Sequence, residues 1–393
     1  MKIQLTKDKT IDINLPFAGG SGGVKSDIVG VELFSGCERG CPAVRLSRKK
    51  NGWTLEAADY VPAPKGELPV RWDDMPHQPT WGMPHQFQAN SAALAVNTAM
   101  GSFGQASPEA IVQEMMHGNA TVAETVSRSA AGKSKFAIKR PESAVSAQPA
   151  ASTGRRPELP PDTGVPVSEN GRRFVVRPLA DEGFKLCASI PEFQALWLGR
   201  LLPEGHRPTA SSIQLAESAL MASVLAVPDF VESEGNALAI FVRSDAIYFG
   251  GYKDGECILW RKCPGVRGYN AIQQSVMKTL GLTKELVDSA LEDSLIDTRP
   301  ALEPVLHPVL EQLELARAYL YGRHGMNIDK VLLVGLPCGA EHWRRYAEDT
   351  LRLQLVAADP FAGLTLAKGV SVGEPSDFLV AIGAAIAASE AEI

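Results

Sequence analysis

Two widely separated stretches of the chain carry the same rhythm of apolar and polar positions: a run, a short polar turn, a second run, a tight Asx-Gly pair and a third run. The first stretch is 28–60, with Asn51-Gly52 as its tight turn, and the second is 237–262, with Asp254-Gly255. An Asx-Gly pair between apolar runs is the strongest short-range hairpin signal, because both central residues of a type I′ turn need positive φ. Each stretch therefore predicts a three-stranded meander that opens a domain.

After each meander the pattern alternates between strands and helices. In the first half, 92–98 reads as a buried strand, and Ser107-Pro108-Glu109 starts a helix over 108–117, with Ser as cap and Pro at the first helical position. A hairpin follows over 173–177 and 184–190, turning at Asp181-Glu182-Gly183. Next comes a helix over 191–202, on which Phe193, Trp197 and Leu201 form one apolar stripe that reads as core. A strand at 212–215 and a helix at 217–225 close this half. The second half continues with a helix at 270–280, another capped by Thr283, and a long helix at 302–322 in which Pro308 marks a start or a kink. Then come a strand at 330–334, a turn from Gly335 to Gly339, a helix at 341–353, a strand at 355–358 and an Ala-rich helix at 377–389. Strands and helices in alternation imply an α/β protein with a mixed sheet flanked by helices in each half.

A chain of 393 residues exceeds the size at which one core keeps growing, so two or more domains are expected, in agreement with the duplicated meander. With 45% hydrophobic residues, 21% charged residues and a net charge of -6, the composition is that of an ordinary soluble protein, and nucleic acid is not an expected partner. The N-terminal sequence MKIQLTKDKTIDINLPF lacks the apolar core of a signal peptide, and the longest apolar run, 378–388, is too short to cross a bilayer, so a cytosolic protein is expected. The six cysteines form no CxxC pair and read as free thiols. His77 and His85, in twin MPHQ motifs, lack a third ligand, so no metal site is assigned. Residues 1–26, with a Gly-Gly-Ser-Gly-Gly stretch, read as a flexible lead-in. Residues 127–172, rich in Ala, Ser, Gly, Arg and Pro, read as a disordered insertion.

Several segments taken in order carry a resemblance: VGVELFSG (29–36), CPAVRLSRKKNGWTLEAADYVPAP (41–64), KDGECILWRKCPGVRG (253–268), IDKVLLVGLPCG (328–339), DPFAGL (359–364) and DFLVAIGAAIAA (377–388). The chain resembles the PilM family of type IV pilus assembly proteins, actin-like relatives of the division protein FtsA. The resemblance implies an actin-like, ribonuclease H-like duplicated fold, with two lobes of mixed sheet flanked by helices around a central cleft and a small inserted subdomain. It divides the chain into a first lobe (27–98, 206–234 and 372–393), an inserted subdomain (99–205) and a second lobe (235–371).

In active members the first strand ends in an Asp and a small flexible turn, which position Mg²⁺ and phosphate. Here Glu32 holds the acidic place and Phe34 stands where a glycine would let the backbone approach an oxygen, while Ser35 and Gly36 keep some of the turn chemistry. In the second meander the strand ends Phe241-Val242-Arg243, so a hydrophobe replaces the second acid, although Arg243 and Ser244 could meet a phosphate. The third element, Gly335-Leu336-Pro337 with Gly339 beyond, loses one donor N–H to the proline. The candidate nucleotide-contacting set is therefore Glu32, Ser35, Gly36, Arg243, Ser244, Gly335 and Gly339, with no catalytic residue assigned.

Each of these also has a plain structural reading. Glu32 reads equally as a strand-end carboxylate facing solvent, Arg243 as a surface residue, Asp245 as a turn former, and Gly335 and Gly339 as a tight connection needing positive φ. The lost acid and glycine argue against hydrolysis. The cofactor stays open between none and ATP or ADP with Mg²⁺.

The resemblance further implies a cytoplasmic adaptor, peripheral to the inner membrane, in the pilus assembly platform. It would bind the cytosolic N-terminal peptide of a PilN-like membrane protein, contact other platform proteins and reach the membrane only through partners, with self-association left open. An extended peptide can join a sheet edge or an apolar groove without any catalytic group. The competing expectation is an active ATP-binding or ATP-hydrolysing protein of the same superfold, FtsA-like or a small-molecule kinase, using Glu32 with Mg²⁺.

Overall fold

The computed structural model describes residues 2–6, 9–12, 27–35, 39–49, 52–64, 81–96, 102–106, 175–178, 185–189, 197–198, 201–202, 208–292, 296–336, 339–372 and 375–391. Strand β1 (Lys2–Thr6) pairs antiparallel with β2 (Lys9–Asp12), where the sequence reading expects a lead-in without structure. Ile3 and Leu5 alternate with Lys2, Gln4 and Thr6, a period of two that suits a strand.

The first meander folds as β3 (Asp27–Leu33), β4 (Cys41–Lys49) and β5 (Gly52–Val61), each antiparallel to the last. β6 (Ser91–Val96) then lies parallel to β3. A separate three-stranded sheet holds β7 (Ser102–Ala106), β8 (Val175–Pro178) and β9 (Lys185–Ser189), with β9 in the middle. β8 and β9 form the expected hairpin, while β7 carries no alternation that would have announced it. The helix expected at 108–117 and the insertion at 127–172 lie outside the described residues. β10 (Thr209–Leu215) returns to the first sheet, parallel to β6.

The second meander repeats the plan. β11 (Ala237–Val242), β12 (Ile247–Lys253) and β13 (Glu256–Lys262) pair antiparallel, β14 (Lys330–Val334) is parallel to β11, and β15 (Gln354–Ala358) is parallel to β14. Counted from its own meander, each sheet runs third, second, first, fourth, fifth, so the duplication seen in the sequence is a duplication of topology. Asp254 (φ 51) and Gly255 (φ 81) both take the left-handed conformation that their turn demands. β16 (Thr365–Leu366) pairs parallel with β5, so this stretch, placed in the second lobe from the sequence, belongs to the first sheet. Two residues are too few to show a periodicity.

The described residues include the α-helices α1 (Ala216–Ser223), α2 (Pro228–Glu232), α3 (Gly268–Leu280), α4 (Lys284–Glu292), α5 (Arg299–His324), α6 (Ala340–Leu351) and α7 (Leu379–Ala391). Leu238, Ile240 and Val242 of β11 meet Ile272 of α3, Leu313 of α5 and Trp343 of α6 on the outer face of the second sheet. On the outer face of the first sheet, Val29, Val31 and Leu33 pack with Trp197 and Leu201, so those members of the predicted stripe are core, while Phe193 lies outside the described residues. Both Pro304 and Pro308 stand inside α5, so Pro308 does not start it. Neither is fully buried, which lets water take up the carbonyls left without an N–H.

Between the sheets, α1 and α7 fill one continuous apolar layer that takes Ile28 and Leu46 from the first sheet, Ala239 and Phe241 from the second, and Leu220, Ile382 and Ile386 from the helices. Close approach requires glycine at two points. A Cβ on Gly30 would lie 1.9 Å from the Ala381 carbonyl oxygen, and one on Gly383 would lie 1.7 Å from that of Ala219. The Ala- and Gly-rich composition of α7 follows, since both its sides press on backbone. No helix among the described residues is long and apolar enough to cross a membrane.

These contacts set a contrast for stability. Gly383→Ala is expected to cost at least about 2 kcal/mol, because backbone cannot swing aside. Gly322→Ala, with nothing within 4 Å of its new methyl group, is expected to gain up to about 1 kcal/mol from helix propensity. Urea denaturation followed by circular dichroism measures both, and an unchanged midpoint for the first variant contradicts the seating of α7.

Candidate functional site

The side-chain period of a strand puts Ile28, Gly30 and Glu32 on the face of β3 that looks towards α7 and the second sheet. Glu32 is 3% exposed and accepts a hydrogen bond at 2.6 Å from Nη2 of Arg243, the residue just after β11. Arg243 has a side chain only 11% exposed, and its Nε reaches Asp245 Oδ1 at 3.4 Å. The readings of Glu32 as a solvent-facing carboxylate and of Arg243 as a surface residue are thus corrected: the two strand ends turn their charges towards one another. Asp245 does sit in a turn, closed by the Arg243 N–H donating to Ala246 O at 2.9 Å.

Burial pushes the Glu32 carboxyl up from the ordinary carboxylate range, Arg243 pulls it back, and Asp245 and Asp377 push it further. For Arg243, burial opposes the charge, but the carboxylate facing it holds it cationic. The surroundings are acidic. Tyr248 donates its hydroxyl to Glu217 Oε1 at 3.1 Å, and burial together with the Glu217 charge raises the phenol. Tyr60 donates to Asp377 Oδ2 at 2.6 Å and is raised by burial and by that carboxylate, with Arg39 Nη1 donating to the Tyr60 oxygen at 3.3 Å. Sequence reasoning missed Tyr60, Glu217, Tyr248 and Asp377. Glu217 and Asp377 read locally as acids near helix starts, and no local signal gives the partner of either.

The turns beside the pair have their own backbone geometry. Phe34 takes φ 59, the left-handed conformation of a glycine, at the position where the sequence reading finds a glycine missing. That conformation costs roughly 1–2 kcal/mol for a residue with a Cβ, and the ring lies 6.3 Å from that of Trp197. Ser35 follows, half-buried, and Gly36 lies outside the described residues. At the start of α3, the Tyr269 N–H donates to Arg243 O at 2.8 Å and the Asn270 N–H to Ser244 O at 3.0 Å, so the turn's own carbonyls take up these donors. Ser244 itself is exposed.

Gly335 (φ 80) is packed tightly, since its Cβ would lie 2.2 Å from Leu379 Cδ1 and 2.9 Å from Val242 O. Gly339 (φ 78) donates its N–H to Glu292 Oε1 at 2.9 Å. The structure therefore gathers Glu32, Arg243 and Ser244, with Ser35 in the adjoining turn. Gly335 meets the same strand ends through Val242, and Gly339 is engaged by α4 instead.

No protein-family model matches the chain, and no curated protein matches it. Among solved structures, a PilM-PilN type IV pilus biogenesis complex aligns over 93% of this chain and 99% of its own, with a TM-score of 0.50 and 15% identity. The likeness is one of fold. A Bacteroides thetaiotaomicron protein with an actin-like ATPase fold aligns over 92% of this chain and 99% of its own, at a TM-score of 0.36 and 10% identity. Near-complete coverage by the first, and the repeated strand order in both sheets, agree with the duplicated α/β fold expected from the sequence.

Among the tyrosines, Tyr248 offers a direct check of the polar layer. Tyr248→Phe keeps the ring that stacks 5.5 Å from Trp260 and removes the hydroxyl from buried Glu217. A loss of about 1–3 kcal/mol in urea denaturation is expected, whereas unchanged stability means that this bond contributes nothing.

Proposed function

We propose that this chain is a PilM-like adaptor on the cytoplasmic side of a type IV pilus inner-membrane platform. It binds the cytosolic N-terminal peptide of a PilN-like membrane protein and turns over no nucleotide. The observation that carries this reading is the buried Glu32–Arg243 ion pair, at the two strand ends that the resemblance implies would each face a phosphate in an active member.

Phosphoryl transfer is almost wholly a matter of metal placement, positioning and electrostatic stabilisation. The residues at these strand ends do not fit a magnesium nucleotide. The Glu32 carboxylate is engaged by Arg243, and the Arg243 guanidinium by Glu32 and Asp245. Phe34 puts a ring in the first turn, and the first donors of α3 are engaged by carbonyls of the second. Asp245 and Asp377 add negative charge beside Glu32. No step of phosphoryl transfer is therefore assigned to the chain.

The partner is supported by the fold likeness to a PilM-PilN complex along almost the whole chain. A peptide needs no reactive group. It needs a sheet edge or an apolar groove, and the small sheet offers edge strands in β7 and β8, with β9 between them. Membrane attachment is assigned to the partner, and the net charge of -6 supplies no overall attraction to anionic lipid.

Calorimetric titration separates this reading from an active ATPase. A synthetic N-terminal peptide of the PilN-like protein from the same genome is expected to bind at roughly micromolar Kd, while Mg-ATP gives no saturable heat and no phosphate release. Saturable Mg-ATP binding with turnover, and no heat from the peptide, contradicts it.

A further inference from the structure

We infer that Glu32 acts as a built-in ligand: its carboxylate fills a small-oxyanion seat formed by Arg243, and by filling it clasps the two sheets together without any bound effector. This goes beyond the adaptor reading, which uses the pair only to argue against a magnesium nucleotide at the strand ends.

The seat and its occupant are built by separate frames. Arg243 is fixed from the second sheet: its N–H donates to Ala246 O, while its carbonyl and that of Ser244 accept from Tyr269 and Asn270 at the start of α3. Gly268 seals this joint, since a Cβ there would lie 2.3 Å from Arg243 O. Glu32 is fixed from the first sheet by its register opposite Ala95 of β6. The two residues are 211 positions apart, so nothing local brings them together, and each keeps its place through its own sheet.

Other bonds cross between the same frames. Tyr248 and Tyr252 of β12 reach α1, at Glu217 and at the Met221 carbonyl respectively, the latter at 3.1 Å. Those donors are neutral phenols. At the strand ends the tie is an ion pair, and without Glu32 the buried guanidinium keeps only the exposed Asp245 carboxylate at 3.4 Å, which is more costly than an unpaired hydroxyl. A carboxylate is also chemically the same group as formate, without a tether. The seat that Glu32 fills is thus one that a free small carboxylate can fill once the side chain is cut back.

The test uses the full chain. In Glu32→Ala, amide exchange measured by mass spectrometry over 30–35 and 241–246 is expected to speed up by roughly 100-fold or more, and Tm to fall by several degrees. Millimolar sodium formate restores both saturably, whereas sodium chloride at equal ionic strength does not. Formate has no such effect on the wild-type chain or on Glu32→Ala/Arg243→Gln. Should Glu32→Ala fail to fold, Glu32→Gln keeps the volume and is expected to show the faster exchange without rescue. Wild-type exchange rates in the folded variants, the absence of rescue in a folded Glu32→Ala, or equal rescue of the double variant overturns the clasp. Peptide binding measured on the same samples is independent, so the clasp can fail while the adaptor reading stands.

Discussion

A carboxylate and a guanidinium buried against each other at the ends of two sheets set the geometric requirement that the packing around them has to meet. Removing both from water is expensive, and apolar residues of the same size would often serve stability as well or better. Losing Arg243 costs about 3–5 kcal/mol, because Glu32 is left buried without its cation, whereas losing Glu32 leaves Arg243 only the exposed Asp245 carboxylate at 3.4 Å. Such a pair is therefore a requirement on geometry. It demands that β3 and β11 keep their ends together, and the packing around it meets that demand: α7 lies against β3 at Gly30, α1 lies against α7 at Gly383, and Gly335 closes on Leu379.

That arrangement separates fold from chemistry. The repeated strand order places two strand ends opposite each other, as a nucleotide-holding cleft would need. The side chains that occupy those ends satisfy one another, and the neighbouring tyrosines satisfy further acids. Phe34 takes a left-handed backbone that favours glycine. The proposed adaptor rests on that mutual satisfaction at the strand ends, not on the fold itself.

Much of the architecture was legible in the chain. The Asx-Gly turns announce both meanders because positive φ at two successive residues admits few sequences, and the strand β14 is an uninterrupted apolar run bounded by Lys330 and Gly335. Other features left no trace. β16 is two residues long, β7 has no alternation, and α5 begins at Arg299 although its prolines suggest a later start. For the site, the sequence singled out Glu32 and Arg243 separately as altered positions but gave each an exposed alternative. Their partnership depends on a contact across 211 residues, which no periodicity encodes. The positive φ of Gly335 and Gly339 was readable, whereas the neighbours that surround them, Leu379 and Glu292, were not.

The most direct measurement is a double-mutant cycle on the folding free energy, with Glu32→Gln, Arg243→Gln and the two combined, read by urea denaturation. If the two charges exist for each other, the combined variant is far less damaged than the sum of the singles, with a coupling of at least about 2 kcal/mol. Additivity to within about 0.5 kcal/mol would mean that the two side chains do not act as a pair, and the account built on them would fall.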